Sequence, residues 1–232
     1  MKSSKEFVAK IVKDNEALFE ASKMNVKAYF DSNPSQEALV EHFIGRMVNE
    51  RMNMVEIATQ IANLPASVDP VELQLLTKQA HDEAVHFRLV RDVIEHIQGS
   101  PVDVEAAINN EAANPTAKGA SLLDKYEASN DPAALAAYQL VAEGRAEAVW
   151  QQMADCIEDA FISSAYSQIA KDEGFHSKIG ARKLVQLATD SETQTRIEAL
   201  VSEMRKDLFD ISCKNTTEVP AAKKLVTEAY GW

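Results

Sequence analysis

Two short stretches of this chain repeat one pattern, HDEAVHF at residues 81–87 and KDEGFHS at residues 171–177. Each contains Asp-Glu-x-x-His, so the glutamate precedes the histidine by three positions. Residues three apart lie on the same face of an α-helix. If both copies are helical, each presents a carboxylate and an imidazole to one centre, and the fold follows from how the two copies are brought together.

The rest of the sequence favours helices throughout. Glycine and proline are scarce, at seven each in 232 residues. Several prolines directly follow Asn, Asp or Ser, which is typical of a capping residue and a proline at the first turn of a helix. No stretch alternates polar and apolar residues with the period of a β-strand. We therefore predict an all-α protein.

The apolar periodicity predicts seven main helices, over about 4–30, 35–63, 70–98, 132–164, 165–189, 191–213 and 220–230. Two short helices, near 102–112 and 118–129, are expected in the linker at 99–131. Two helix pairs joined by one long crossover is an arrangement found in four-helix bundles of the ferritin type. We expect one domain over 1–232, with a bundle core at about 35–189 and flanking helices at about 4–30 and 191–230.

Each of the four long helices carries a glutamate within an otherwise apolar row, namely Glu50, Glu83, Glu143 and Glu173. His86 and His176 follow two of these glutamates by three positions. Burying four ionised carboxylates without partners is prohibitively costly, and Arg46 and Arg145 can each pair with only one. Two divalent ions would neutralise the carboxylates and accept both imidazoles, and iron or manganese suits such a ligand set.

This set resembles the ligand pattern of the ferritin-like dimetal carboxylate superfamily, in which helix bundles hold two metal ions. The resemblance implies two Fe ions, with Mn or a mixed Fe/Mn pair as the alternative. It implies that Glu83 and Glu173 bridge the ions. It also implies hydrogen bonds from His176 to Asp82 and from His86 to Asp172, each Asp lying just before the glutamate of the opposite copy.

The resemblance further implies a non-heme diiron oxygenase or oxidase that activates dioxygen to oxidise a small, largely apolar organic substrate. All six ligands would then be catalytic, and a protein electron donor or another reductant would be required. The alternative within the same superfamily is a peroxide-detoxifying or metal-handling protein, such as a ferroxidase, a peroxidase or a dimanganese catalase.

Several other residues have two readings. Glu147 follows Glu143 by one helical turn and is either an extra ligand or a flanking residue paired with a cation. Three histidines, His42, His81 and His96, are expected at the surface.

Four glycines lie inside predicted helices, namely Gly45, Gly144, Gly174 and Gly180. A glycine inside a helix indicates close helix approach, room for a substrate, or a local π-bulge that redirects a ligand. Gly144 best suits the π-bulge.

Composition excludes several classes of function. A net charge of −12 argues against nucleic-acid binding, and no apolar run is long enough for a membrane span. The N-terminal segment has no signal-peptide pattern. Cys156 and Cys213 form no CxxC pair, so we expect a reducing cytoplasm. The helices beyond the bundle core suggest a homodimer interface or a specialised pocket.

Overall fold

The computed structural model describes residues 2–113, 118–128 and 130–232, and within these ranges every regular element is helical. The α-helices are α1 (Ser4–Asp14), α2 (Glu16–Asp31), α3 (Gln36–Asn63), α4 (Pro70–Gln98), α5 (Val104–Ala113), α6 (Ser121–Lys125), α7 (Pro132–Tyr138), α8 (Gly144–Cys156), α9 (Ala160–Leu187), α10 (Ser191–Asn215) and α11 (Pro220–Tyr230). A π-helical segment, Gln139–Glu143, joins α7 to α8. The prediction of an all-α protein is confirmed.

Helix starts follow the capping chemistry expected from the sequence. The side chain of Asp69 accepts a hydrogen bond from the Val71 amide at the start of α4. Asp131 does the same for Ala133 at the start of α7. In both cases a proline occupies the first helical position, where it has no amide hydrogen to leave unpaired.

Two predicted helices are divided in the structure. The helix expected over about 4–30 breaks at Asn15, whose buried side chain accepts a hydrogen bond from Arg205 Nε at 2.7 Å. The helix expected over about 132–164 ends at Cys156, because Ile157 is extended and Asp159 caps a new helix. One continuous helix would place Phe161 in the apolar row that faces the core, but Phe161 is 50% exposed.

The linker between α4 and α7 contains two short helices, as expected. The first is α5, and the second, α6, is shorter than the predicted span of about 118–129. Residue 129 lies outside the described residues.

The long helices pack as neighbouring pairs. A short connection joins α3 to α4, which lie side by side, and α8 packs against α9, which also contacts α4. Their shared core includes Phe43, Met47, Val90, Trp150 and Tyr166. This arrangement turns the glutamate-bearing faces of four helices toward one another.

The terminal helices are integral to the fold. Helix α2 packs along α8, α10 packs against α7 and α2, and α11 packs against α2. A second apolar cluster joins them through residues such as Ile11, Leu18, Ala136, Met204 and Val226. The bundle therefore extends well beyond the four ligand-bearing helices.

The π-helical segment ends at Glu143 and lies next to Gly144. All five of its residues are buried, and Ser177 Oγ donates a hydrogen bond to Leu140 O at 3.1 Å. The wider π turn changes the direction in which the following side chains project. Of the three explanations for the glycines, the π-bulge is confirmed beside Gly144.

Gly180 allows close helix approach. A Cβ atom there would lie 2.5 Å from Ala136 O and 2.6 Å from Leu140 N, which are backbone atoms of the α7–π region. The absence of a side chain thus sets the distance between α9 and that region.

None of the helices in the described ranges combines the length and the apolar character that crossing a bilayer requires.

We predict that Gly180→Ala destabilises the protein by about 1–3 kcal/mol or more, because the methyl group clashes with backbone that cannot move independently. Gly45→Ala is the matched control, since its Cβ would approach only Lys118 Nζ, at 3.9 Å. There the gain in helix propensity should stabilise α3 by about 1 kcal/mol. Urea unfolding measures both free energies, and similar values for the two variants would contradict the close-approach account.

Candidate metal centre

Six side chains from four structural elements meet in the core. The site combines Glu50 from α3, Glu83 and His86 from α4, Glu143 from the end of the π-helical segment, and Glu173 and His176 from α9. Each is at most 2% exposed. The structure therefore brings together all six residues that the sequence predicted as ligands.

The six residues form two overlapping groups of four. Ligand atoms of Glu50, Glu83, His86 and Glu173 lie within 4.8 Å of one another, and so do those of Glu83, Glu143, Glu173 and His176. Glu83 and Glu173 belong to both groups. This geometry suits two adjacent cations with two shared carboxylates.

Both imidazoles direct Nδ1 toward the glutamates. His86 Nδ1 lies 3.4 Å from Glu50 Oε2 and 3.6 Å from Glu173 Oε1. His176 Nδ1 lies 3.2 Å from Glu173 Oε2 and 3.4 Å from Glu83 Oε1. In each group, one ring nitrogen and several carboxylate oxygens converge on the same small volume.

The other nitrogen of each imidazole faces an aspartate from the opposite copy of the motif. His176 Nε2 lies 3.1 Å from Asp82 Oδ2, and His86 Nε2 lies 3.5 Å from Asp172 Oδ2. Lys78 forms an ion pair with Asp82 at the outer edge of this arrangement. An aspartate in this position orients the ring and selects its tautomer.

A buried amide network holds two of the carboxylates. Gln79 Nε2 donates to Glu143 Oε1 at 3.1 Å, and Gln139 Nε2 donates to Gln79 Oε1 at 2.8 Å. On the other side, Asn53 Nδ2 lies 3.5 Å from Glu83 Oε2. These amides restrict the carboxylate orientations, so the site is organised beyond its six central residues.

Sequence reasoning missed this network, although a signal existed. Gln79 precedes Glu83 by four positions and Asn53 follows Glu50 by three, so both amides share the helix faces of the glutamates. Tyr138, whose hydroxyl donates to Asn53 Oδ1 at 3.0 Å, completes the network. Polar residues interrupting an apolar stripe near a ligand are the pattern that could have revealed it.

The charges in the site are strongly coupled. Burial, reinforced by the neighbouring carboxylates of Glu83 and Glu173, raises the pKa of Glu50 to about 7, although His86 opposes this shift. Burial also disfavours ionised Glu83, but the adjacent imidazoles of His176 and His86 outweigh it and lower the pKa of Glu83 to about 2. Burial, together with repulsion from the carboxylates of Glu173 and Glu83, raises the pKa of Glu143 well above its usual value.

Several buried polar atoms have no hydrogen-bond partner among the described residues: Glu50 Oε2, Glu83 Oε1, His86 Nδ1 and His86 Nε2. In the same part of the chain, no Lys or Arg forms an ion pair with any of the four glutamates. Unsatisfied buried polar groups are rare and costly. The donor set therefore fits a pair of divalent cations, which would satisfy these atoms at once.

Glu147 lies outside both four-residue groups within the described ranges. Its carboxylate packs against Gly174, where an added Cβ would approach Glu147 Oε1 to 2.5 Å. The close packing of this carboxylate explains why residue 174 is a glycine although it lies inside a helix.

Two of the three histidines expected at the surface are exposed, but His42 is not. Its ring stacks on Tyr29 with centroids 5.0 Å apart. Burial, with repulsion from Arg46, lowers its pKa to about 3. The surface prediction for His42 was wrong, because its ring packs against Tyr29 of α2 and against Phe43.

A cavity of about 370 Å³ adjoins the metal centre. Glu50, Glu143 and Glu173 contribute to its wall, so it reaches the carboxylates of both groups. Its volume falls within the range of pockets for small organic ligands, about 300–1,000 Å³.

No family model and no curated relative matches this chain. Among solved structures, it is similar to a TenA homolog from Pseudomonas syringae pv. tomato str. DC3000, with a TM-score of 0.64 and 10% sequence identity. The likeness covers 90% of this chain and 92% of that one. At this identity the comparison describes the fold alone, and the fold is that of a TenA-like helical protein.

This finding overturns the inferred membership of the ferritin-like superfamily. The four ligand-bearing helices account for about 35–189, whereas the likeness to the TenA homolog extends over nearly the whole chain, including the terminal helices. The Glu and His pattern specifies which helix faces share a core, but it does not specify how the helices are connected. The same spacing therefore arises in a different helical fold.

The predicted activity of a diiron oxygenase or oxidase depended on that membership and is therefore wrong. The same holds for its alternative, the peroxide-detoxifying or metal-handling protein. Both activities, with their dioxygen and electron-donor requirements, rested on the resemblance and not on the residues. The solved structure that resembles this chain gives them no support. The positions of the six side chains are independent of that error.

We predict that Glu50→Gln stabilises the metal-free protein by about 1–3 kcal/mol at pH 8. A raised folded-state pKa means that folding favours the protonated acid, so wild-type stability is lost as pH rises from about 4.5 to about 7. Gln cannot ionise and avoids this loss. Urea unfolding in the presence of a chelator at pH 5 and pH 8 measures the difference, which should shrink at pH 5; a gain that persists at pH 5 would contradict this account.

Proposed function

We propose that this protein binds two divalent first-row metal ions, iron or manganese, and that it is an enzyme acting on a small molecule in the adjoining cavity. The proposed ligands are Glu50, Glu83, His86, Glu143, Glu173 and His176. The observation that carries the proposal is the convergence of four buried glutamates and two imidazoles, with no Lys or Arg of the described residues in an ion pair with any of these glutamates.

The ligand chemistry supports iron or manganese. Each four-residue group offers three carboxylates and one imidazole. Carboxylate-rich sites with nitrogen ligands suit these ions, whereas structural zinc sites favour thiolate and imidazole ligands. Both cysteines are free and neither belongs to the site.

The protein's own residues would position the ions and the substrate. Asp82 and Asp172 would accept the Nε2 hydrogens of His176 and His86, which leaves both Nδ1 atoms as the ligand atoms. Gln79, donating to Glu143, would keep that carboxylate turned inward. Divalent ions at such a site supply Lewis-acid polarisation of a substrate oxygen and lower the pKa of bound water.

The cavity supports an enzymatic role over a purely structural one. A metal pair that only stabilised the fold would need no access, yet Glu50, Glu143 and Glu173 line a cavity large enough for a metabolite. The likeness to a TenA homolog supplies the helical framework and, at 10% identity, no reaction. A cytoplasmic location, a homodimer and a single domain remain predictions from the sequence.

We predict that His86→Ala and His176→Ala each retain about one metal ion, where the wild type retains two, because each removes the only imidazole of one group. His96→Ala is the matched control, since His96 is exposed and pairs with Asp159 at 2.9 Å. Elemental analysis after Mn(II) or anaerobic Fe(II) loading and desalting measures the stoichiometry. If both ligand variants retain two ions, the assignment is wrong.

The enzymatic part of the proposal is tested separately. Mn- and Fe-loaded wild type should deplete one or more small molecules from a cell extract, as followed by untargeted mass spectrometry. Chelated wild type and a doubly substituted Glu83→Gln, Glu173→Gln protein should deplete none, and His96→Ala should behave as the wild type. Full metal occupancy with no depletion would refute the enzyme while leaving the metal site intact.

A further inference from the structure

Basic side chains are concentrated in the wall of the cavity that adjoins the metal centre. Arg46 from α3, Arg145 from α8 and Lys118 from the linker all line it, in a chain whose net charge is −12. The same wall also includes Lys214 and four glutamates (Glu41, Glu50, Glu143 and Glu173), so among the described residues it holds four basic and four acidic side chains.

Among the described residues, neither Arg46 nor Arg145 is in a close ion pair with a carboxylate, although Arg46 is attracted by Glu50 one turn further along α3. Arg145 is 6% exposed, and its Nε donates to the Ser22 hydroxyl at 3.1 Å. Arg46 places Cζ 5.3 Å from the centroid of the Trp150 ring. Lys118 differs, because it pairs with Glu111 at 2.8 Å.

Holding these guanidinium groups together is unfavourable without an anion. Arg145 is buried beside Arg46, so their positive charges repel each other in a poorly solvated part of the wall. Attraction to Glu50 offsets part of the cost for Arg46. A buried charge normally persists only when it is paired. A negatively charged ligand between the two side chains would remove both penalties.

The cavity has a further unsatisfied polar atom. His42 Nε2 is shielded from solvent and has no hydrogen-bond partner in the described part of the chain. His42 lies on α3 one turn before Arg46 and also lines the cavity. The same wall includes Trp150, Leu208 and Ile211, which provide an apolar surface beside the charged groups.

The arginines lie close to the metal centre along the chain. Arg46 precedes Glu50 by four positions, which places their side chains on the same face of α3, about 5–6 Å apart at Cβ. Arg145 lies two positions after Glu143, a spacing that does not place them on one helix face, but both residues line the same cavity as Arg46 and Glu50. A molecule anchored at the arginines would therefore extend its other end toward the carboxylates of Glu50 and Glu143.

We infer that Arg46 and Arg145 bind the oxyanion of a small organic molecule, a carboxylate or a phosphate monoester, whose apolar body lies along Trp150. Guanidinium groups bind both anions through paired, charge-assisted hydrogen bonds. The inference deepens the proposed function by naming the class of its substrate. The anion site itself consists of residues outside the metal ligands.

Trp150 provides the signal for a binding experiment. The chain has two tryptophans, so Trp232→Phe leaves Trp150 as the only one. Benzoate, phenyl phosphate and the neutral analogue benzamide are titrated into this protein while Trp150 fluorescence is recorded. Saturable binding of benzoate or phenyl phosphate, at least about tenfold tighter than benzamide, is expected. The anion that binds with the lower dissociation constant identifies the charged group, carboxylate or phosphate, of the natural ligand.

Substitutions identify the residues responsible. In the same background, Arg46→Met and Arg145→Met should each weaken anion binding about tenfold or more while leaving benzamide binding unchanged. Arg46→Lys should restore part of the affinity. Arg196→Met is the matched control, because Arg196 is exposed and pairs with Asp131 at 2.5 Å. Circular dichroism checks that each variant is folded.

Metal content keeps the two proposals separate. The titrations are done on chelated and on Mn-loaded protein, and the arginine variants should still retain two Mn ions. Anion binding without metal retention would refute the proposed function and leave the anion site. Metal retention with no preference for anions over benzamide, or with anion binding unaffected by both Met substitutions, would overturn this inference.

Discussion

The structure depends on how the protein compensates a concentration of negative charge in its core. Four glutamates meet where almost no water reaches them, and only two imidazoles, with an aspartate behind each, stand among them. Coulomb repulsion between carboxylates at such distances is strong in a poorly solvated interior. The raised pKa of Glu50 and the lowered pKa of Glu83 show how unevenly the available protons are shared. Two divalent cations would compensate the negative charge of all four glutamates evenly.

Other features of the fold serve the same centre. The π-helical segment ends at Glu143, and Gly180 lets α9 approach that region closely. Gln79 and Asn53 donate amide hydrogens to Glu143 and Glu83, and Gln139 donates in turn to Gln79. Helices α3, α4 and α9 and the π-helical segment carry the central residues, while the terminal helices pack around them and form part of the cavity wall.

The central residues could be predicted from the sequence because helical spacing is a local rule. Glu83 and His86 share a face whatever the fold, and an acid within an apolar stripe must face the core. The boundary between α8 and α9 was predicted at 164/165 and lies at 157–159, because a break of three residues scarcely interrupts the row of apolar side chains. The cavity was missed for a different reason: only the packing of α2, α3 and α8 brings Arg145 to the face of α3 that carries His42 and Arg46, and no local pattern encodes that packing.

The inferred superfamily shows the limit of such reasoning. A ligand pattern constrains four helix faces, and different helical folds can satisfy it, so it could not identify the topology or the reaction. The claim that remains is physical: metal ions compensate the buried charge. The most direct measurement is the free energy of unfolding as a function of free Mn(II) concentration. Two ions bound only to the folded state predict a rise of about 2.7 kcal/mol for each tenfold increase in Mn(II) above the dissociation constants. A free energy of unfolding independent of Mn(II) would contradict the account.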